Sequence, residues 1–255
     1  RLASIHDDIL RMPQGYDTPV GEKGDMMIQR LADRLAALDL IERATQLLEN
    51  QINFRLSGED RSRVGARLAL LYIVNHQPQE GLKVLEITNF GNNSPELQRL
   101  RLQLTAQALS AQGRHADALN MIFHDTSDAG NLLRLDILWA AQDWPNIVTS
   151  AEDILSKRAD LTAPLTNTET EVLLKLALGY SFQSDYTQLR YLRDYYLSLI
   201  PDSAYKNIFE FITNDTNPLD REDSSMLTEQ ISHTESFLNT FKEKIAGGKL
   251  SEAVK

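Results

Sequence analysis

Cysteine is absent from all 255 residues, which excludes a disulfide framework, a thiolate metal site and a thiol nucleophile. It leaves cytosol and periplasm equally open as compartments. No apolar run approaches the roughly 20 residues that cross a bilayer, so membrane insertion by this stretch is not expected. Runs of strand-like alternation are missing. Positive charge is scarce too: 26 Lys and Arg stand against 36 Asp and Glu, a net charge of −10. That balance opposes attachment to phosphate backbones, and nucleic acid is excluded as a first expectation. Phosphate-loop, dinucleotide, nucleophile-elbow, zinc-protease and calcium-loop signatures are all absent. The five histidines, His6, His76, His115, His124 and His233, have spacings that place no two on one helical face. Neither a metal nor a cofactor is therefore expected, and no catalytic residue is assigned. The opening "RLASIHDDILRM" is charged and amphipathic rather than leader-like. It begins with Arg1, which reads as a chain continuing from a longer protein.

What the chain has is helical periodicity. Leu31, Leu35 and Leu38 share a stripe, as do Leu68, Leu71 and Tyr72, and Leu173, Leu176, Ala177 and Tyr180. Ser57 with Asp60 and Thr166 with Glu169 have capping-box spacing, and Ser94 precedes Pro95 at a first helical position. Inside "AQGRHADALNMI" a Gly and a polar pair interrupt the helix before Ala118 and Ile122 resume its apolar face. This is the turn of a helical hairpin. The same frame catches Ala32, Leu35, Ala44 and Leu48; Ala69, Tyr72, Gly81 and Leu85; Ala106, Leu109, Ala118 and Ile122; Leu135, Leu138, Ile147 and Ala151; and Ala177, Tyr180, Leu189 and Arg193. Small residues at facing places suit two helices whose axes approach to about 8–10 Å.

The frame resembles the tetratricopeptide repeat, most closely in "LTAQALSAQGRHADALNMI" and "LALGYSFQSDYTQLRYL", with Pro201 in the closing proline place. It departs from that pattern where the first-helix Trp place holds Ile28, Gly65, Leu102, Asn131 and Leu173. The resemblance implies an all-α fold: a right-handed superhelical array of antiparallel hairpins, an α-solenoid, with a C-terminal capping helix. The expected organisation is a truncated preceding helix and loop over 1–24, about five hairpins over 25–201, and capping helices with a loose tail over 202–255. In the final helix, Leu227, Ile231, Thr234, Leu238, Phe241 and Ile245 form a stripe that either seals the last repeat or pairs with a partner or second copy.

The resemblance also implies a non-catalytic scaffold that binds a peptide or partner protein along the concave side, where first helices lie. The inward places of the frame hold Gln29, Asp33, Arg63, Gln103, Gln107, Asp136 and Trp139, with Arg63, Gln103 and Gln107 as polar anchors. Arg55, Arg61, Arg63 and Arg67, with Arg99 and Arg101 one hairpin later, offer a basic strip for an acidic peptide. The alternative is a structural assembly module, homo-oligomerising through the array ends and the last helix.

Overall fold

Reversing a helix within three or four residues demands one residue in the left-handed region, and the protein supplies such a residue five times in register. The computed structural model describes residues 21–214, 226–229, 231 and 236–254. Five helical pairs run in chain order: α1 (Glu22–Ala37) with α2 (Ile41–Phe54), α3 (Gly58–Val74) with α4 (Pro78–Ile87), α5 (Pro95–Ser110) with α6 (His115–Met121), α7 (Asp128–Ala140) with α8 (Trp144–Ser156), and α9 (Asn167–Phe182) with α10 (Tyr186–Tyr196). Each pair turns on a residue with positive φ: Asp39 at 60°, His76 at 58°, Gly113 at 77°, Gln142 at 55° and Ser184 at 58°.

Around every one of these turns the same two backbone bonds recur. The amide of Leu40 donates to the Leu35 carbonyl, Gln77 to Tyr72, Arg114 to Leu109, Asp143 to Leu138 and Asp185 to Tyr180, all between 2.8 and 3.0 Å. The amide of the left-handed residue itself reaches the carbonyl three residues back. This double bond pattern is the Schellman motif, which satisfies carbonyls that a helix end otherwise leaves bare. The steps between turns, 37, 37, 29 and 42 residues, are those of the sequence frame.

Packing follows the frame. Of the framed residues only Tyr72 and Arg193 are not buried, and Leu192, 4% exposed, takes the apolar place beside Arg193. Gly81 shows why a small residue stands early in a second helix. A Cβ built there would sit 3.1 Å from a side-chain carbon of Ile73 and 3.2 Å from the backbone oxygen of Ala69. Two tyrosines at equivalent places make equivalent bonds. Tyr72 donates to Glu49 of α2, and Tyr180 donates to Glu152 of α8, each reaching back to the preceding hairpin. Odd-numbered helices stand side by side: α3 packs on α5 and α5 on α7.

After α10 come a 3₁₀ turn (Leu197–Leu199), α11 (Ala204–Ile212), helical residues at 226–229 and 231, α12 (Ser236–Ala246) and a short α13 (Leu250–Ala253). Among the described residues there is no strand. Several expectations change. The loop expected through Gly24 ends earlier, because Glu22 already begins α1 and Gly24 is buried. The proposed helix over residues 1–12 lies outside the described residues. Thr166 and Glu169 form the full capping box, whereas Ser57 occupies the cap position without a side-chain bond.

The largest correction concerns the C-terminal stripe. Leu227 and Ile231 join the core of the last hairpins, as a cap would. Leu238, Phe241 and Ile245 instead join the core of the first hairpins, and Thr234 lies outside the described residues. The tail read as loose is packed: Leu250 and Val254 are fully buried. Its path begins at a sixth turn, where Gly248 has φ 69° and Lys249 donates to the Lys244 carbonyl at 2.8 Å.

A left-handed non-glycine residue costs roughly 1 kcal/mol that glycine avoids. Gln142→Gly and Ser184→Gly are expected to raise the unfolding free energy by about 0.5–1 kcal/mol each, and Gly113→Ala to lower it by about 1 kcal/mol. Urea unfolding followed by circular dichroism checks all three.

Candidate functional site

The row of odd-numbered helices carries two matched acid–base pairs. Asp33 and Asp136 stand two residues before Leu35 and Leu138; Arg67 and Lys175 stand five residues before Tyr72 and Tyr180. The register therefore sets a carboxylate of one hairpin facing a cation of the next, once at each end of the row. In the far pair, Lys175 Nζ lies 2.5 Å from Asp136, with side chains only 1% and 8% exposed. Lys175 also stands 5.9 Å from the centre of the Trp139 ring. In the near pair, burial pushes the Arg67 guanidinium down to about 10, against the opposing pull of the Asp33 charge.

Both pairs hold main-chain atoms of the same segment, Ser236–Val254. Asp136 accepts from the Phe237 amide at 2.8 Å, placing a negative charge at the start of α12, where the helix dipole favours it. Asp33 accepts from the Ser251 amide at 2.9 Å and from its hydroxyl at 2.5 Å. Arg67 donates to the carbonyls of Ser251, at 2.8 Å, and Val254, at 2.9 Å. Between these ends α12 packs on α7 and α1, and α13 packs on α1 and α3. The segment thus runs across the odd-helix row from its far end to its near end.

The residues expected to line the binding face divide accordingly. Asp33 and Asp136 lie on it and grip the segment. Gln29 lies on it and accepts from Arg67 at 2.7 Å. Gln107 is buried beside α12, on a cavity of about 180 Å³ that it shares with Ile73, His76, Leu238 and Lys242. Gln103 is directed elsewhere: it donates to Asp125 at 2.7 Å and fixes the link between α6 and α7. Trp139 is a core residue, 6% exposed and edge-on to Trp144, which stacks on Phe182 at 4.0 Å. Arg63 is half-exposed and paired with Glu59 one turn away at 3.0 Å.

The basic strip does not form. Arg61 donates to the carbonyls of Ile52 and Ile87, and Arg101 to those of Ser62 and Leu85. At Ile52, Leu85 and Ile87 their charge closes helix ends that expose bare carbonyls. Arg55 pairs with Asp25 at 2.8 Å, and Arg99 is left exposed.

Sequence reasoning missed Lys175, Ser251 and the tail. A signal for Lys175 was present: a cation inside the apolar run "EVLLKLALGY", at the place where Arg67 stands three hairpins earlier. Opposite this face, α4, α5 and α6 border an open cleft of about 480 Å³ lined by Leu85, Glu86, Asn93, Arg101, Leu102 and Met121. It sets no nucleophile beside a general base. Ser110 and His115 do meet, at 3.1 Å, across the α5–α6 turn. Among the described residues no group of three or more His, Asp or Glu is placed to hold a metal ion. No described helix is long and apolar enough to cross a membrane.

No protein-family model matches the chain, and no solved structure matches it. One curated protein, the multidrug resistance-like ATP-binding protein MdlA of Escherichia coli (strain K12), is 78% identical over 27 residues. Those residues are 11% of this chain and 5% of MdlA, too short a stretch to define a domain or its chemistry.

Removing one partner of a buried ion pair strands the other charge, at a cost of about 3–5 kcal/mol. Lys175→Met is therefore expected to lower stability by about 3 kcal/mol, and adding Asp136→Leu to recover part of the loss; a double-mutant cycle measures both. Asp125 gives a pH test. Burial would raise its pKa, but the bonds from Ser127 and Gln103 outweigh that and hold it below the usual carboxylate range. Its contribution is full above the unfolded carboxylate value of about 4 and is lost as pH falls through the lower folded value. Gln103→Ala should move the acid unfolding midpoint to higher pH.

Proposed function

We propose that the protein is a non-catalytic interaction scaffold, a tetratricopeptide-like superhelical array whose odd-helix face docks a peptide or a helix of a partner protein. The observation that carries this reading is the grip on Ser236–Val254. Side chains at repeat-equivalent places hold main-chain atoms of a helical segment that returns from the far end of the chain. Grooves take helical ligands by receiving an apolar face at helical spacing, and here side chains at the two ends add bonds to main-chain groups that a helix start and a turn leave free. The five turns in one register support the repeat, since stacked hairpins bury a continuous core and leave one face of first helices available. In this reading the scaffold contributes shape and buried polar hooks, while the specificity resides in which side chains of the ligand face the row.

The alternative of assembly through the last helix has less support, because Leu238, Phe241 and Ile245 are already covered within the chain. A photo-crosslinking residue placed at Arg63 or Gln107 in the natural host is expected to capture one common partner polypeptide, and the same residue at exposed Tyr191 of α10 is not. Capture at Tyr191 equal to that at the two face positions would move the interaction away from the odd-helix row and sink the proposal.

A further inference from the structure

The manner in which Ser236–Val254 is held distinguishes it from the hairpins beneath it. A hairpin helix is tied to its mate by a turn of three or four residues. This segment reaches its partners across sequence gaps of 101 residues at Asp136, 184 and 187 at Arg67, and 218 at Asp33. Its bonds to those residues run mainly through its own backbone, so they specify a helix start and a turn rather than a unique sequence. Its apolar face, Phe237, Leu238, Phe241 and Ile245, follows helical spacing and is buried throughout.

The fit is also incomplete. The pocket of about 180 Å³, open to solvent beside His76, lies between Leu238 and Lys242 of the segment and Val74, His76 and Gln107 of the array. Arg67 meets an amide oxygen and two carbonyls, while its Nε, buried, has no hydrogen-bond partner. Seating the segment thus desolvates a guanidinium that, among the described residues, feels the Asp33 charge without a direct ion pair to it. Rehydration of Arg67 and Asp33 would offset part of the cost of exposing the apolar face when the segment leaves.

We infer that the odd-helix row is a binding site for an amphipathic helix followed by a tight turn, and that Ser236–Val254 is its resident occupant in cis, displaced when a partner helix of the same pattern binds. This rests on the scaffold reading above and adds its ligand class and its regulation. Tethering gives the resident segment an effective concentration on the order of millimolar. An untethered helix of equal intrinsic affinity therefore competes poorly, and binding is held back until the partner is abundant or better fitted to the cavity.

Two measurements on the full chain test this. In native-state hydrogen exchange, the amides of α12 and α13 are expected to open as one unit, with an open population at least 30-fold above that of the α3 amides Leu68–Ile73. Equal opening free energies would make the segment part of the indivisible core and overturn the inference. In the second, a labelled synthetic peptide of residues 236–254 is titrated into the chain. Wild type is expected to bind with an apparent Kd near the millimolar tether concentration. Phe241→Asp in the chain, which puts a charge at a buried place of the resident helix, should tighten binding at least 10-fold. Adding Asp33→Ala and Arg67→Ala should abolish that gain. A folded Phe241→Asp chain that binds no better, a gain that survives the two alanines, or loss of cooperative unfolding in Phe241→Asp would each overturn it. Segment opening with no crosslinked partner at Arg63 or Gln107 would instead sink the scaffold reading while leaving the cis occupancy intact.

Discussion

The constraint on which the structure depends is the reversal of one helix onto the next within three or four residues. Such a turn fixes where the second helix starts, and so which side chains meet across the pair. Close approach then requires small residues at facing places, met by Ala32 with Ala44, Ala69 with Gly81, and Ala106 with Ala118. Four of the five turns place a non-glycine residue in the left-handed region. The double backbone bond at each turn, together with burial on either side of it, holds those residues where local preference alone would not.

Register at the turns has a second consequence, one hairpin away. Because each pair presents the same places to its neighbour, a residue type set at one place recurs along the face. Tyr72 and Tyr180 find Glu49 and Glu152 in this way; Asp33 and Asp136 face Arg67 and Lys175 by the same rule. These charges lie where a row of first helices would otherwise be apolar. Charged groups in such positions are costly unless something satisfies them. Here the backbone of the C-terminal segment supplies an N–H to each carboxylate and two carbonyls to Arg67.

Much of this architecture was legible in the sequence, because apolar spacing is local and repeats. The frame placed the hairpin turns, and the inward places that it indicated include Asp33, Asp136, Gln29 and Gln107, all on the face that the segment covers. What could not be read was how long-range partners divide the polar residues. Gln103 and Gln107 are one turn apart on α5, yet one clamps the Asp125 loop and the other borders the α12 cavity. Arg61 and Arg101 looked like surface charge until helix ends with bare carbonyls were brought against them. The tail was misread for a similar reason. "KLSEAVK" has too few apolar residues to announce burial, yet Leu250, Ala253 and Val254 are buried where Asp33 and Arg67, some two hundred residues away, bind its backbone.

The face that the C-terminal segment covers is core for this chain, and in the scaffold reading proposed above it is also the binding site. A face made only of leucines would have sealed itself against the returning segment with no polar cost, and opening it would expose apolar area alone. By setting acid–base pairs at the two ends of the row, the repeat makes closure depend on a few directed bonds. In the scaffold reading proposed above, the same bonds would select for a ligand that offers a helix N-terminus at Asp136 and a turn with a free amide and carbonyls at Asp33 and Arg67. In that reading, apolar packing between those ends would grade one such ligand against another, and the pocket beside Gln107 and Leu238 is where a bulkier side chain would add contact that the resident segment does not make.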